Sequence, residues 1–266
     1  MPAKGVAVTA DVVVAGGGVI GTAIAWRAAA AGLDVVLADP AEGDAASQVA
    51  AGMLAPVSEA LFGEGALLRV NLLALARFPS FAAELERVTG HRVGLRREGT
   101  LAVAHDAGDY AALMRLTAFR RSAGLDAEEL DSRACRKLES FLTPDVHGGV
   151  LFPGDWSVDN RRYAAALREA AAAAGVRTVR DRVTAVLAAD GSDRTDGAGG
   201  RARGVALAGG GEIGCAQVVV AAGSWSGAVD GEPARLKMPF RLPMGRSSWW
   251  RWVTSLIIGS KAVTTG

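Results

Sequence analysis

Near the amino terminus the apolar residues come in unbroken blocks and do not alternate singly with polar ones. Asp11 is followed by Val12, Val13, Val14 and Ala15. Such a β-branched run fits a parallel strand covered on both faces. Gly16, Gly17 and Gly18 interrupt it. An alanine-rich helix is predicted from Val19 to Ala31, closed by Gly32 at its C-cap. Asp34 to Asp39, read DVVLAD, predicts a second strand. Strand, glycine turn, helix, glycine and strand make one βαβ unit.

Residues 41–57 read as an irregular loop of small residues. A helix is predicted from Ala66 to Val88, a strand from Thr100 to His105, a helix from Asp109 to Gly124 and a strand from Gly149 to Phe152. Asp159 reads as the N-cap of a further alanine-rich helix that ends before Gly175. Strands follow at Val176–Arg180 and Val183–Ala188. Asp190 to Arg203 reads as a hairpin tip rich in Gly, Asp and Arg. Gly204–Ala208 and Ala216–Ala221 read as strands around the turn at Gly209, Gly210 and Gly211. No internal repeat is visible.

The tail differs in composition. After Glu232 there is no acidic residue, but Arg235, Lys237, Arg241, Arg246, Arg251 and Lys261 are all basic. Trp249, Trp250 and Trp252 cluster there, and neither the helical nor the strand period organises the segment.

The formal net charge of +1 gives no bulk attraction to nucleic acid or to an anionic membrane. No unbroken apolar stretch has the length of a membrane span, and the first apolar run lacks the pattern of a signal peptide. Cys135 and Cys215 are far apart and suggest neither a disulfide framework nor a metal site; both read as packing residues. A soluble protein of the reducing cytoplasm is expected. His91, His105 and His147 fall in separate segments without ligand spacing, so no metal centre is expected. No nucleophile-elbow motif is present, and Arg161 and Arg162 read as a solvated helix start.

The chemistry-bearing motif is Gly16-x-Gly18-x-x-Gly21. It sits between a strand and a helix, where such a loop binds a dinucleotide. Gly16 allows the tight turn, Gly18 lets a pyrophosphate approach the backbone, and Gly21 lets the helix pack on the strand. The helix N-terminus offers N–H groups and a partial positive charge to the phosphates through Val19 and Ile20. Asp39 ends the second strand, where an acidic residue accepts hydrogen bonds from the adenosine ribose and disfavours a 2′-phosphate. This motif does not by itself separate FAD from NAD.

Ala50-Ala51-Gly52-Met53-Leu54-Ala55-Pro56, followed by Glu59, resembles the AAGML segment of the glycine oxidases of thiamine biosynthesis, members of the D-amino-acid oxidase family of flavoenzymes. Phe152-Pro153-Gly154-Asp155-Trp156-Ser157-Val158-Asp159 resembles the passage by which those enzymes return to the flavin domain. Val218 to Ser226, read VVVAAGSWS, resembles their second glycine segment. The resemblance covers about residues 10 to 230. It implies a bound FAD, with Ala46 and Ser47 near the phosphates and Ala51, Gly52 and Met53 near the flavin ring. It places the backbone of Val183 at the adenine, and Ala222, Gly223 and Trp225 under the cofactor.

The fold expected is α/β: a Rossmann-like FAD-binding domain and a second, mainly antiparallel-sheet substrate domain that is incomplete. The FAD-binding domain would occupy residues 1–90 and 151–232, and the substrate domain 91–150. Residues 233–266 would stand apart as an atypical tail. The resemblance implies oxidation of the Cα–N bond of glycine or a similar small amino acid. Hydride passes to the flavin, oxygen reoxidises it to hydrogen peroxide, and the imino acid hydrolyses to a 2-oxo acid and ammonia. The family's substrate-clamping arginine and its partners have no counterpart in these residues, so catalytic residues are not assigned. A C-terminal truncation or frame shift near residues 233–243, with loss of turnover, is expected. Two other readings stay open: a non-catalytic FAD-binding fragment, and an NAD-dependent dehydrogenase, for which only Tyr110 and Tyr163 offer a catalytic tyrosine. Homo-oligomerisation is also left open.

Overall fold

A computed structural model of the chain describes residues 8–40, 46–188, 202–231 and 255–257. The predicted hairpin tip therefore falls largely outside the described residues, as does most of the basic tail with its three tryptophans. The chain divides into two compact units. Unit 1 comprises Met1–Ala50, Leu85–Arg92 and Asn160–Gly245; unit 2 comprises Ala51–Glu84, Val93–Asp159 and Arg246–Gly266.

The elements begin with β1 (Val8–Ala15), α1 (Val19–Ala30), β2 (Val35–Ala38), α2 (Ala46–Val49), β3 (Met53–Leu54) and α3 (Gly65–Thr89). Next come β4 (Thr100–Ala104), α4 (Ala107–Ser122), β5 (Glu128–Asp131), α5 (Ser132–Leu138), β6 (Gly148–Phe152) and β7 (Trp156–Ser157). The chain continues through α6 (Asn160–Ala173), β8 (Arg177–Val179), β9 (Val183–Ala188), β10 (Ala202–Leu207) and β11 (Glu212–Val220). A 3₁₀ turn over Gly223–Ala228 follows, and β12 (Ser255–Ile257) is the last strand described.

Unit 1 is built on a six-stranded sheet in the order β8-β2-β1-β11-β10-β9. The first four strands run parallel, and β10 and β9 continue antiparallel. Burial on both faces explains the unbroken valine run. Val12 and Val14 pack with Val35, Leu37 and Ala25 of α1. Val13 and Ala15 face the other way, into a cluster with Val36, Ala38, Val183, Val205 and Ile213. The α1 helix also packs against α6, whose buried stripe is Ala164, Leu167, Ala170 and Ala171.

Unit 2 has a four-stranded antiparallel sheet in the order β12-β4-β6-β5. One apolar cluster joins Val57, Val150 and Phe152; another joins Leu101, Cys135 and Val146. Asp106 caps α4 by accepting the Asp109 N–H at 2.8 Å, which starts that helix two residues before the expected Asp109.

Several elements depart from the sequence expectation. The expected irregular loop over 41–57 contains α2 and β3. Residues 51–84 group with unit 2, and the return to unit 1 falls at Asn160 rather than at 151. The cause lies in pairing: Met53 and Leu54 are antiparallel partners of Ser157 and Trp156. Three residues of the tail form β12, bonded to β4, so the tail does not stand wholly apart. Cys215 lies within β11, which starts at Glu212 rather than Ala216 because it pairs with both β1 and β10. Among the described residues one helix, α3, is long and apolar enough to cross a membrane by length and composition. Arg69, Asn71 and Arg77 break its apolar run, so the sequence shows no continuous span.

The α1–β1 packing rests on Gly21. A Cβ there would stand 1.9 Å from the Gly16 carbonyl oxygen, which is backbone and cannot swing aside. Gly21→Ala is expected to lower the unfolding free energy by about 1–3 kcal/mol, the usual scale of overpacking. Urea melts of the two proteins measure this, and coincident midpoints would show that α1 is not held by this contact.

Candidate functional site

The carboxyl ends of β8, β2, β1 and β11 lie along one edge of the unit 1 sheet, since the four strands run parallel. In open α/β sheets this edge is where ligands bind. Gly16 leaves β1 at φ +110°, and its N–H donates to the Ala38 carbonyl at 2.8 Å. A Cβ on Gly16 would lie 2.4 Å from the Ala221 carbonyl oxygen, so the end of β11 closes directly on the turn. Gly17 donates its N–H to the Asp39 carboxylate.

Gly18 is the N-cap of α1 and has no side chain with which to cap it. Its φ of −68° is open to any residue. Among the described residues, leaving out its chain neighbours and its own helix backbone, only Ser47 Oγ, at 3.3 Å, lies within 4 Å of an added Cβ, so they leave this Cα largely open. The Val19 N–H donates to Ser47 Oγ at 3.1 Å. Thr22 is buried and donates its hydroxyl to the Gly17 carbonyl at 3.0 Å. The first turn of α1 carries no acidic residue. Its unpaired N–H groups and the positive end of the helix dipole therefore meet no built-in negative charge on α1.

The structure brings most of the sequence-predicted residues of unit 1 to this edge. Gly16, Gly18, Val19, Ile20 and Gly21 form the turn and the first turn of α1, with Ile20 exposed. Asp39 follows β2, its own N–H bonded to the Val179 carbonyl at 3.0 Å. Ala46 and Ser47 start α2. Ala222 caps the 3₁₀ turn, Gly223 takes φ +57°, and Trp225 is 62% exposed. Val183 opens β9, buried in one cluster with Ala15 and Ala38.

Ala51, Gly52 and Met53 belong to unit 2. Gly52 has φ +76°, and its carbonyl accepts the Val158 N–H at 2.8 Å. Ser157 pairs on its other side with Arg96. The turn that follows is held by charges that sequence reasoning missed. Asp155 is fully buried and accepts N–H bonds from Val57 at 2.8 Å and Ser58 at 3.1 Å. Arg120, 4% exposed, donates to the Ser58 carbonyl and lies over the Phe152 ring. Burial pulls the Arg120 guanidinium below its ordinary range, and the Asp155 charge works against that. Desolvation, then the Asp155 charge, pushes the Glu59 carboxyl above its usual range. The available signal was the one charged residue, Asp155, inside the mainly apolar Phe152–Val158 segment.

Asn160 is passed over in the sequence beside the expected cap Asp159, and Arg161 reads as part of a solvated helix start. Asn160 Nδ2 donates to the Ser47 carbonyl at 2.9 Å, and Arg161 Nε to the Gln48 carbonyl at 3.4 Å. His91 pairs with Glu169 at 3.2 Å, and Tyr110 meets His147 edge-on. Among the described residues no three His, Cys, Asp or Glu side chains cluster as metal ligands would.

Residues 11–249 match the family model described as FAD dependent oxidoreductase. The bifunctional protein ThiO/ThiG of Synechocystis sp. is 33% identical over 201 residues, covering 71% of this chain and 29% of that protein. Glycine oxidase of Geobacillus kaustophilus is 34% identical over 167 residues, covering 62% of this chain and 44% of the enzyme. The crystal structure of that species' glycine oxidase superposes with a TM-score of 0.72 at 31% identity, over 83% of this chain and 57% of the other. The chain thus spans less than two thirds of the length of each.

The raised Glu59 carboxyl fixes a pH dependence. A carboxyl favoured neutral in the folded state contributes most below its unfolded pKa, and that contribution is lost as pH rises through its folded pKa. Glu59→Gln removes the ionisation beside Asp155. The variant is expected to melt higher than the parent at about pH 7 and no higher at about pH 4, where glutamate is largely protonated. An equal difference at both pH values would show that ionising Glu59 carries no cost from its burial or from Asp155.

Proposed function

The chain belongs to the FAD dependent oxidoreductase family, and from that premise we propose that the carboxyl edge of unit 1 holds the adenosine diphosphate portion of FAD. The observation that carries the reading is the convergence of a glycine turn, a helix N-terminus without a side-chain cap of its own and an acidic residue at that edge. The residues fit the group. Among the described residues other than its chain neighbours and own helix backbone, only Ser47 Oγ lies within 4 Å of an added Gly18 Cβ, so the backbone there is approachable. The Ile20 N–H is offered to anionic oxygens, joined by Ala46, and Val19 contributes through the Ser47 hydroxyl that its own N–H holds. A carboxylate offers about four acceptor positions, so Asp39 can hold Gly17 and also accept ribose hydroxyls. Val183 serves the adenine through its backbone, and Ala222, Gly223 and Trp225 lie under the cofactor. In unit 2, Ala51, Gly52 and Met53 present a thin backbone suited to a flat ring.

The activity we assign is oxidation of the Cα–N bond of glycine or a similar small amino acid. The similarity to proteins named glycine oxidase supports it. FAD supplies the hydride acceptor and the route of electrons to oxygen, with hydrogen peroxide as product; the protein binds, orients and tunes. The product imino acid hydrolyses to a 2-oxo acid and ammonia. We place the protein in the cytoplasm, where the buried free thiols of Cys135 and Cys215 stay reduced. Burial raises the pKa of both, which keeps them protonated and inert. The partner is a small amino acid in a thiamine-biosynthetic setting rather than nucleic acid or membrane.

Flavin fluorescence titration tests the reading. Asp39→Ala is expected to weaken FAD by about 1–3 kcal/mol, the loss of hydrogen bonds to a charged acceptor, and Gly18→Val to abolish binding. Failure of the parent to bind FAD would overturn the reading. Glycine, sarcosine and D-alanine are then added anaerobically to the loaded protein: the assigned activity predicts bleaching of the flavin and peroxide once air is admitted, whereas the lack of a counterpart to the family's substrate clamp in these residues predicts little of either. Flavin that binds but is reduced by none of them would leave a flavin-binding protein without this oxidase activity.

A further inference from the structure

The short helix α2 does not hold itself. It spans only Ala46–Val49, far below the length at which a helix persists alone. Two donors from the first turn of α6 reach its carbonyls: Asn160 Nδ2 to Ser47 at 2.9 Å and Arg161 Nε to Gln48 at 3.4 Å. The contact spans 113 residues of sequence within one compact unit. Ser47 in turn carries the hydroxyl that accepts the Val19 N–H at 3.1 Å. Gly18, at the N-cap, makes no side-chain bond to α1. Ser47 therefore caps α1 from another part of the chain, and Asn160 fixes the backbone of Ser47.

We propose that Asn160 is a positioning residue for the cofactor pyrophosphate, acting through Ser47 and touching no ligand itself. This rests on the assignment of that edge to the adenosine diphosphate portion of FAD. The Ser47 hydroxyl accepts from Val19 and keeps its own proton to donate. Oriented that way, it presents one donor to an anion already drawn by the α1 terminus. Without the Asn160 amide the Ser47 carbonyl loses its tie, and the hydroxyl loses its fixed direction. The bond to Ser47 needs a donor at this position. An ionised aspartate has none, and its charge would oppose the carbonyl.

The experiment is displacement of bound FAD by ADP and, separately, by adenosine, in the parent, Asn160→Asp, Ser47→Ala and the double variant. Asn160→Asp should weaken ADP about tenfold, the equivalent of one charge-assisted hydrogen bond, and leave adenosine unchanged. Ser47→Ala should show the same split. The double variant should be no worse than Ser47→Ala alone, since two residues acting through one contact are not additive. Asn160→Ala, run through the same arms, covers the case in which the aspartate variant does not fold. Equal ADP affinity in the parent and the Asn160 variants would overturn the positioning role. Equal loss of ADP and adenosine, or additive losses in the double variant, would overturn the route through Ser47. A parent from which ADP displaces no FAD would overturn the assignment of the edge itself.

Discussion

The architecture of unit 1 depends on a space too small for a methyl group. The Gly16 carbonyl oxygen stands 1.9 Å from where a Gly21 Cβ would be, and a Cβ on Gly16 would stand 2.4 Å from the Ala221 carbonyl oxygen. These two approaches draw the start of α1, the end of β1 and the end of β11 together. Everything chemical at the edge follows from that. With α1 drawn in, the Gly17 N–H reaches Asp39 and the Val19 N–H reaches Ser47. A helix moved outward by a bond length would lose both contacts before any ligand arrived. The glycines thus act first as packing residues, and the pyrophosphate site proposed at them rests on that packing.

Where strands are buried on both faces, sequence alone was sufficient. Val12 to Ala15 and Val35 to Ala38 could be placed because each is a run of four consecutive sheet positions, all buried and hydrophobic. The same was true of the glycine turn, the helix after it and Asp39, whose spacing is set by strand and helix lengths. The edge elements were not legible. Glu128 to Asp131 reads EELD, with no apolar period, and is a strand only because β6 pairs with it. The two-residue strands β3 and β7 define each other across about a hundred residues. No local signal can carry such pairings.

The site residues divide along the same line. The motif residues could be located from their spacing, and the side chains that reach a distant carbonyl could not. Asn160 stands beside the expected helix cap and is a tether for α2; Arg161 looks solvated and also reaches α2. The Gly18 backbone angles are ordinary, so its conformation does not itself demand glycine.

Unit 2 applies the same device with charges. A buried turn leaves backbone groups that must find partners. At Val57 and Ser58 those partners are the Asp155 carboxylate for two N–H groups and the Arg120 guanidinium for a carbonyl. Neither ion is a cheap way to satisfy a turn, since each gives up water to do it. Opposite charges near one another recover part of that loss, and the Phe152 ring under Arg120 recovers more. What such a pair confers is conformational definition. Removal of either ion would leave the other buried beside unmatched backbone, so the turn has few alternatives to the one observed. In both units, then, segments that look irregular in sequence are held by polar side chains far along the chain: Asn160 for α2, Asp155 and Arg120 for the turn after Met53. A loop held in this way keeps small residues at its surface, because the ordering comes from elsewhere. That leaves its backbone free to lie against a ligand, which a loop ordered by its own bulky side chains could not do.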